Sequence, residues 1–209
     1  QLPPFSGELT GLDPDFEERY AVSGGTSLWV NANMSPNFPD VATTWEAMWR
    51  KATGQQLDGA LALDPRALAA ALAATGPVRA PAVGAVDAKR IERLVLHDQY
   101  VLPELASQRK TLMLGVGSAA IDALLAGSAS PKVLLPGLRD VARQGHVLVH
   151  SRVPAEQARL VSGGIGGAVD RSTQPFAQAV VVNAGGNKLD SWLDSSLGYR
   201  VEECTRSRR

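Results

Sequence analysis

The chain has 209 residues with 21 basic and 21 acidic side chains, 44% hydrophobic residues and one Cys. Ordinary apolar content excludes global disorder, and a lone Cys excludes both a disulfide framework and a four-Cys zinc site. Zero net charge argues against a nucleic-acid partner, because phosphate neutralisation needs a basic domain.

No stretch approaches the roughly 18–20 consecutive apolar residues of a membrane span, and Gln1–Ser6 lacks the basic-then-apolar layout of a signal peptide. The opening Leu2-Pro3-Pro4-Phe5 and the charged end Cys204-Thr205-Arg206-Ser207-Arg208-Arg209 read as the edges of an excised piece, incomplete at its N-terminus, with any anchor lying upstream.

Residues 1–39 read as an irregular N-terminal segment of the same domain that residues 40–203 build, and 204–209 as a charged tail. Turn formers dominate Asp13-Pro14-Asp15, Ser23-Gly24-Gly25 and Asn31 to Asp40, leaving only Glu8–Leu12 and Ser27–Val30 as candidate strands. Asp40 then reads as the cap of a helix in which Trp45, Met48, Trp49 and Ala52 recur at helical spacing before Gly54.

Leu57–Leu63 reads as a strand running into Asp64-Pro65, a cap followed by Pro at the first helical position, and Gly76-Pro77 closes the helix. A strand over about 78–83 follows. Helix, strand, helix and strand in about forty residues is the pattern of a layered α/β domain. Next come an amphipathic stretch from Asp87 to Leu96, an irregular joint around 97–103, and a long helix from Leu105 to Ala126. The buried stripe of that helix would be Leu112, Met113, Val116, Ala120 and Leu124. Another helix covers about 132–144, with Pro136 implying a kink or a delayed start.

Val147–His150 reads as a strand, Pro154–Val161 as a helix and Gly163–Gly167 as a turn. Ala177–Asn183, apolar on both faces, reads as a central strand of a covered sheet. Ala184–Asn187 is then a hairpin turn into a last extended segment, Leu189–Glu202.

The motifs that carry chemistry are few. Gly163-Gly164-Ile165-Gly166-Gly167 follows a helix and lacks the Lys-Ser/Thr of a phosphate loop, so it reads as a flexible turn. No Ser stands in Gly-x-Ser-x-Gly. His146 and His150 share one strand face but have no carboxylate nearby in sequence, and His97 is distant, so no metal site is read. Two constellations stand out. In the first, His97-Asp98-Gln99-Tyr100 precedes Gln108-Arg109-Lys110 near the start of the long helix, where Arg and Lys would grip a phosphate or carboxylate; a solvated helix face accounts for the same residues. The second is the polar turn Asn183–Asp190 with Asn187 and Lys188, which hairpin chemistry alone also explains. Asn31, Asn33 and Asn37 would line a polar cleft or make local turn bonds.

Several collinear stretches carry a resemblance: Asn31 to Pro39, Ala52 to Pro65, Ala74-Thr75-Gly76-Pro77-Val78, Asp98-Gln99-Tyr100, Gln108-Arg109-Lys110 and Gly185 to Asp190. Over nearly the whole chain they resemble the bacterial family catalogued as domain of unknown function four thousand and twelve. That family in turn resembles the LytR-CpsA-Psr proteins of the cell envelope, through the Thr53-Gly54 to Asp64 and Thr75-Gly76-Pro77-Val78 motifs and an Arg near the start of the next long helix.

The resemblance implies a layered α/β/α domain with a mixed central sheet, an extracytoplasmic location and membrane anchoring through a segment outside this chain. It also implies a polyprenyl-pyrophosphate-linked glycan or cell-wall polymer as ligand. If the domain is a glycopolymer phosphotransferase, an Asp-bound Mg²⁺ is implied as well. Only Arg109, with Gln108 beside it, matches an anion-binding position of those transferases. Their earlier Ser-Asp and Arg-Asp motifs have no counterpart here. The ligand-binding candidates are therefore Arg109, Gln108, Asp98, Lys110, Asn33, Asn187 and Lys188, and the other reading is a non-catalytic envelope scaffold or partner-binding module.

Overall fold

A computed structural model describes residues 2–170 apart from 4, 81–82, 103–108 and 128, together with 178, 180, 196, 198 and 200. It is a mixed α/β structure of helices and small antiparallel sheets.

The N-terminal segment is not a loop throughout. Asp13 accepts from the amides of Asp15 and Phe16 and Pro14 takes the first helical position, so α1 forms over Pro14–Tyr20 and buries Phe16. Neither expected strand forms: residues 24–27 and 29–33 are turns, and Leu9 donates a backbone bond to Thr26. These residues instead supply side chains. Leu9 and Ala32, with Phe5, Leu12 and Trp29 beside them, pack on Met48 of α2 (Phe38–Thr53).

Helix α2 starts three residues earlier than expected, with Asn37 rather than Asp40 as N-cap and Pro39 in its first turn. It ends as read, at Gly54, whose φ of 76° is the left-handed geometry that glycine tolerates. Its buried face runs through Phe38, Val41, Ala42 and Met48; Trp45 is only half-buried, and the Trp49 indole reaches out to the Gln55 side chain.

Strand β1 (Gly59–Leu63) enters α3 (Pro65–Thr75) through Asp64, which accepts from the Arg66 and Ala67 amides at 2.9 and 3.0 Å. The strand expected over 78–83 is shorter. β2 (Val78–Ala80) pairs antiparallel with β3 (Gly84–Val86), a short return strand whose three residues carry too little pattern to be read.

The amphipathic stretch after Asp87 and the joint after it form one broken helical run: α4 (Ile91–Arg93), a π-helical turn (Leu94–Asp98) and α5 (Gln99–Val101). The long helix, α6, is described over Arg109–Leu125; Leu112, Val116 and Ala120 are buried as expected, Met113 and Leu124 half-buried. Helix α7 (Pro131–Arg143) starts ahead of Pro136 and contains it, so the delayed start is not taken. β4 (Val147–Ser151) and α8 (Pro154–Ser162) follow as read.

The main core lies between α3, the β2/β3 hairpin, α4 and α6, where Leu72, Val86, Ile91, Leu94, Leu112 and Val116 are all essentially inaccessible. Each such aliphatic side chain contributes about 1.5–3 kcal/mol of burial. The mixed central sheet is not found among the described residues. β1 and β4 form a separate two-stranded antiparallel sheet, in register from Gly59 opposite Ser151 to Leu63 opposite Val147. Alternation marks a strand without naming its neighbour, so the sequence pattern does not reveal these two separate pairings. The expected strand 177–183, the hairpin 184–187 and most of the final extended segment lie outside the described residues.

Candidate functional site

The π-helical turn places the first constellation. Its wider winding keeps Leu94 in the core while Gln99, one turn on, is also buried and donates through its side-chain amide to the Val95 carbonyl. π turns inside helices recur at functional sites because they re-aim the side chains around them. Here the turn carries His97 and Asp98, and Tyr100 follows in α5. Asp98 Oδ1 lies 3.1 Å from His97 Nδ1 and accepts from Arg93 Nε at 3.1 Å. The His97 contact is the main reason that the Asp98 carboxyl titrates below the ordinary carboxylate range; Arg93 adds to the effect and desolvation opposes it.

Arg109, the first described residue of α6, is exposed, and its guanidinium carbon stands 5.2 Å from the centroid of the Tyr100 ring. A cation over an aromatic face at that distance is held in place by the ring quadrupole. The structure therefore brings Tyr100 and Arg109 together, while Asp98 contacts His97 and Arg93. Gln108, Asn187, Lys188 and the side chain of Lys110 lie outside the described residues. Asn33 is exposed in the turn before α2. Its neighbours make local bonds: Asn31 donates to the Ser23 carbonyl, and Asn37 donates to Asp40 while accepting from the Val169 amide.

A second cluster corrects the reading of the histidines. His150 lies in β4 and His146 immediately before it, so the two do not share the strand, and each has a carboxylate partner. His146 Nδ1 lies 2.5 Å from Asp64 and His150 Nδ1 3.0 Å from Glu46. The partners arrive from 82 and 104 residues away, a separation that no local motif reports. Glu46 and His150 are each about nine-tenths buried, and Arg152 Nε reaches the second Glu46 oxygen at 3.7 Å. Arg152 also donates to the Leu57 carbonyl. Beside this cluster Glu46, Arg50, Gln56, Leu57 and Arg152 line a cleft of about 130 Å³. The Glu46 carboxylate is already engaged by His150 and Arg152, so the cluster ties α2 to the end of β4.

The Gly163–Gly167 segment is the turn expected of it. The Gly163 and Gly164 amides donate to carbonyls of α8, and the Gly167 carbonyl accepts from Phe38 at the start of α2. Amides so committed do not cradle a phosphate. Nor do the described residues fit the Mg²⁺ that a transferase would need: no three His, Cys, Asp or Glu side chains among them converge as metal ligands, and Asp98 is taken up by His97 and Arg93. Among the described residues no helix is long and apolar enough to cross a membrane.

No curated protein and no solved structure matches the chain. The family likeness read from short motifs over nearly the whole sequence is supported for its first half, which takes in the motifs up to Asp98-Gln99-Tyr100 but not Gln108-Arg109-Lys110 or Gly185–Asp190: residues 2–100 match the family model described as "Protein of unknown function (DUF4012)".

Proposed function

We propose that this chain is an extracytoplasmic cell-envelope domain that binds a phosphate-containing glycan, carried on polyprenyl pyrophosphate, at the surface formed by Tyr100 and Arg109. One observation carries the reading: an exposed guanidinium set over an aromatic ring, next to a π-helical turn. Arg binds phosphate through paired N–H donors in a fixed plane, and a ring beneath it limits the orientations it must give up on binding. The remoter likeness to LytR-CpsA-Psr proteins, which handle pyrophosphate with arginines, supports the same ligand class.

Binding, rather than transfer of the glycan, is what the side chains support. Asp98 is committed to His97 and Arg93, and an Asp held ionised between two nitrogen donors orients its neighbours better than it exchanges protons. Asp98 is then a positioning residue for the His97–Tyr100 turn, with Arg109 the contact to the anion.

The test is equilibrium binding of polyprenyl pyrophosphate in detergent micelles to the chain and to its Arg109→Ala variant. Loss of a charge-assisted hydrogen bond is worth about 1.5–3 kcal/mol, so affinity should fall roughly tenfold or more. Arg109 is exposed, so the variant should keep its helical content. Unchanged affinity would overturn the proposal and leave the scaffold reading.

A further inference from the structure

A groove apart from Tyr100 and Arg109 is lined by residues that the proposed site does not use. Helix α7 is amphipathic, yet none of its side chains is fully buried. One face rests on α3, where Gly137 comes close to Ala70. A second apolar strip, Leu135, Leu138 and Ala142, looks instead across a groove of about 660 Å³ towards Val147 of β4 and Ile165 of the glycine turn. Leu135 is two-thirds exposed. Arg139 and Arg143, one helical turn apart, line the same groove. Neither forms an ion pair with a carboxylate among the described residues.

Apolar walls with a pair of like cations along one rim do not suit a second buried hydrophobic element, whose docking would desolvate two unmatched charges. They suit an amphiphile whose chain lies on Leu135, Leu138 and Ile165 and whose head meets the arginines. The charge count narrows the head group. Two guanidinium groups balance the charge of a phosphate monoester, which approaches two negative charges at neutral pH, whereas a carboxylate would neutralise only one. The volume falls in the range of small-ligand sites, about 300–1,000 Å³. We propose that this groove binds a single-chain alkyl phosphate, head group against Arg139 and Arg143 and chain along Leu135 and Leu138.

The probe is dodecyl phosphate below its micelle concentration, titrated calorimetrically into the full chain. Saturable binding is expected, with inorganic phosphate weaker by at least about a hundredfold because the chain contributes most of the affinity. The double variant Arg139→Gln/Arg143→Gln should weaken dodecyl phosphate at least about tenfold, and Leu135→Ser about threefold. Both positions lie on the exposed side of α7, and retained helical circular dichroism checks the fold. The proposal is overturned if the double variant binds as tightly as the parent, if dodecyltrimethylammonium or dodecanol binds as well as dodecyl phosphate, or if laurate binds more tightly. It is equally overturned if dodecyl phosphate fails to bind while vesicles containing anionic phospholipid do, since that would make the groove a membrane-facing surface.

Discussion

The two sheets of this chain are held by different physics. The β2/β3 hairpin is closed over by α3, α4 and α6, so that Val78, Ala80 and Val86 face Leu72, Leu94 and Leu112 in a water-free layer. The β1/β4 sheet has no fully buried residue; every position in both strands is half-buried or exposed, and Leu61 is more than half-exposed. It is tied to the helices by partly buried apolar contacts, Ala60, Ala62 and Leu148 against Phe38, Val41 and Ala42 of α2, and by polar pairs, Asp64 with His146 and Glu46 with His150 and Arg152. Apolar burial is insensitive to pH and scales with area, whereas His–carboxylate contacts depend on protonation and on a few atoms. The first region should therefore set global stability, and the second should open more readily, leaving its neighbouring grooves adaptable.

The sharpest break in that comparison is a truncation in each region. Leu112→Ala removes a side chain with essentially no exposure and leaves a cavity among Val86, Leu94 and Val116, for an expected loss of about 2–5 kcal/mol. Leu61→Ala, on the exposed face of β1, should cost under about 0.5 kcal/mol. Urea denaturation of both variants checks the contrast. Equal losses would mean that the two sheets share one core.

A smaller effect is expected from Asp64→Ala, which acts where the regions meet. It deletes the N-cap of α3, with its bonds to the Arg66 and Ala67 amides, and also removes the partner of His146, just ahead of β4. Cap loss costs about 0.5–2 kcal/mol. Hydrogen exchange should show the β1/β4 amides losing more protection than those of β2 and β3. Uniform loss of protection would contradict a separate, more easily opened sheet.

Particular residues show where the sequence was legible. Asp64-Pro65 and Gly54 were readable because capping and left-handed turns are chemistry of one or two neighbouring residues. Asp13-Pro14 is the same device, but the density of turn formers around it hid a seven-residue helix. Strands β1 and β4 were recognisable one by one, and their pairing was not, because register is fixed by contacts 84 to 92 residues apart, from Leu63 opposite Val147 to Gly59 opposite Ser151. The carboxylate partners of His146 and His150 were hidden for the same reason. At the proposed site, Asp98, Tyr100 and Arg109 were picked out by residue type, but the π turn that ends at Asp98 leaves no mark in a period-3.6 pattern. The alkyl-phosphate groove was invisible too, since it joins one face of α7 to residues of β4 and the glycine turn that follow it.

The smallest effect expected is the pH response of the His97–Asp98–Arg93 contact, which lies at the margin of the dry region. The folded state holds the Asp98 carboxyl below its ordinary value, chiefly through His97 and then Arg93. An acid whose pKa is lower in the folded than in the unfolded chain binds fewer protons when folded. Its contribution to stability is therefore complete above the unfolded value of about 3.9 and is lost as pH falls through the folded one. Urea midpoints of the parent and of Asp98→Asn, measured from pH 6 down to pH 2, should run parallel at the upper end and converge below about pH 3.9. Curves that stay parallel to the acid limit would show that the carboxylate adds nothing there. The π turn would then be held by the burial of Leu94 and Gln99 alone, and the dry region would extend to the edge of the proposed binding surface.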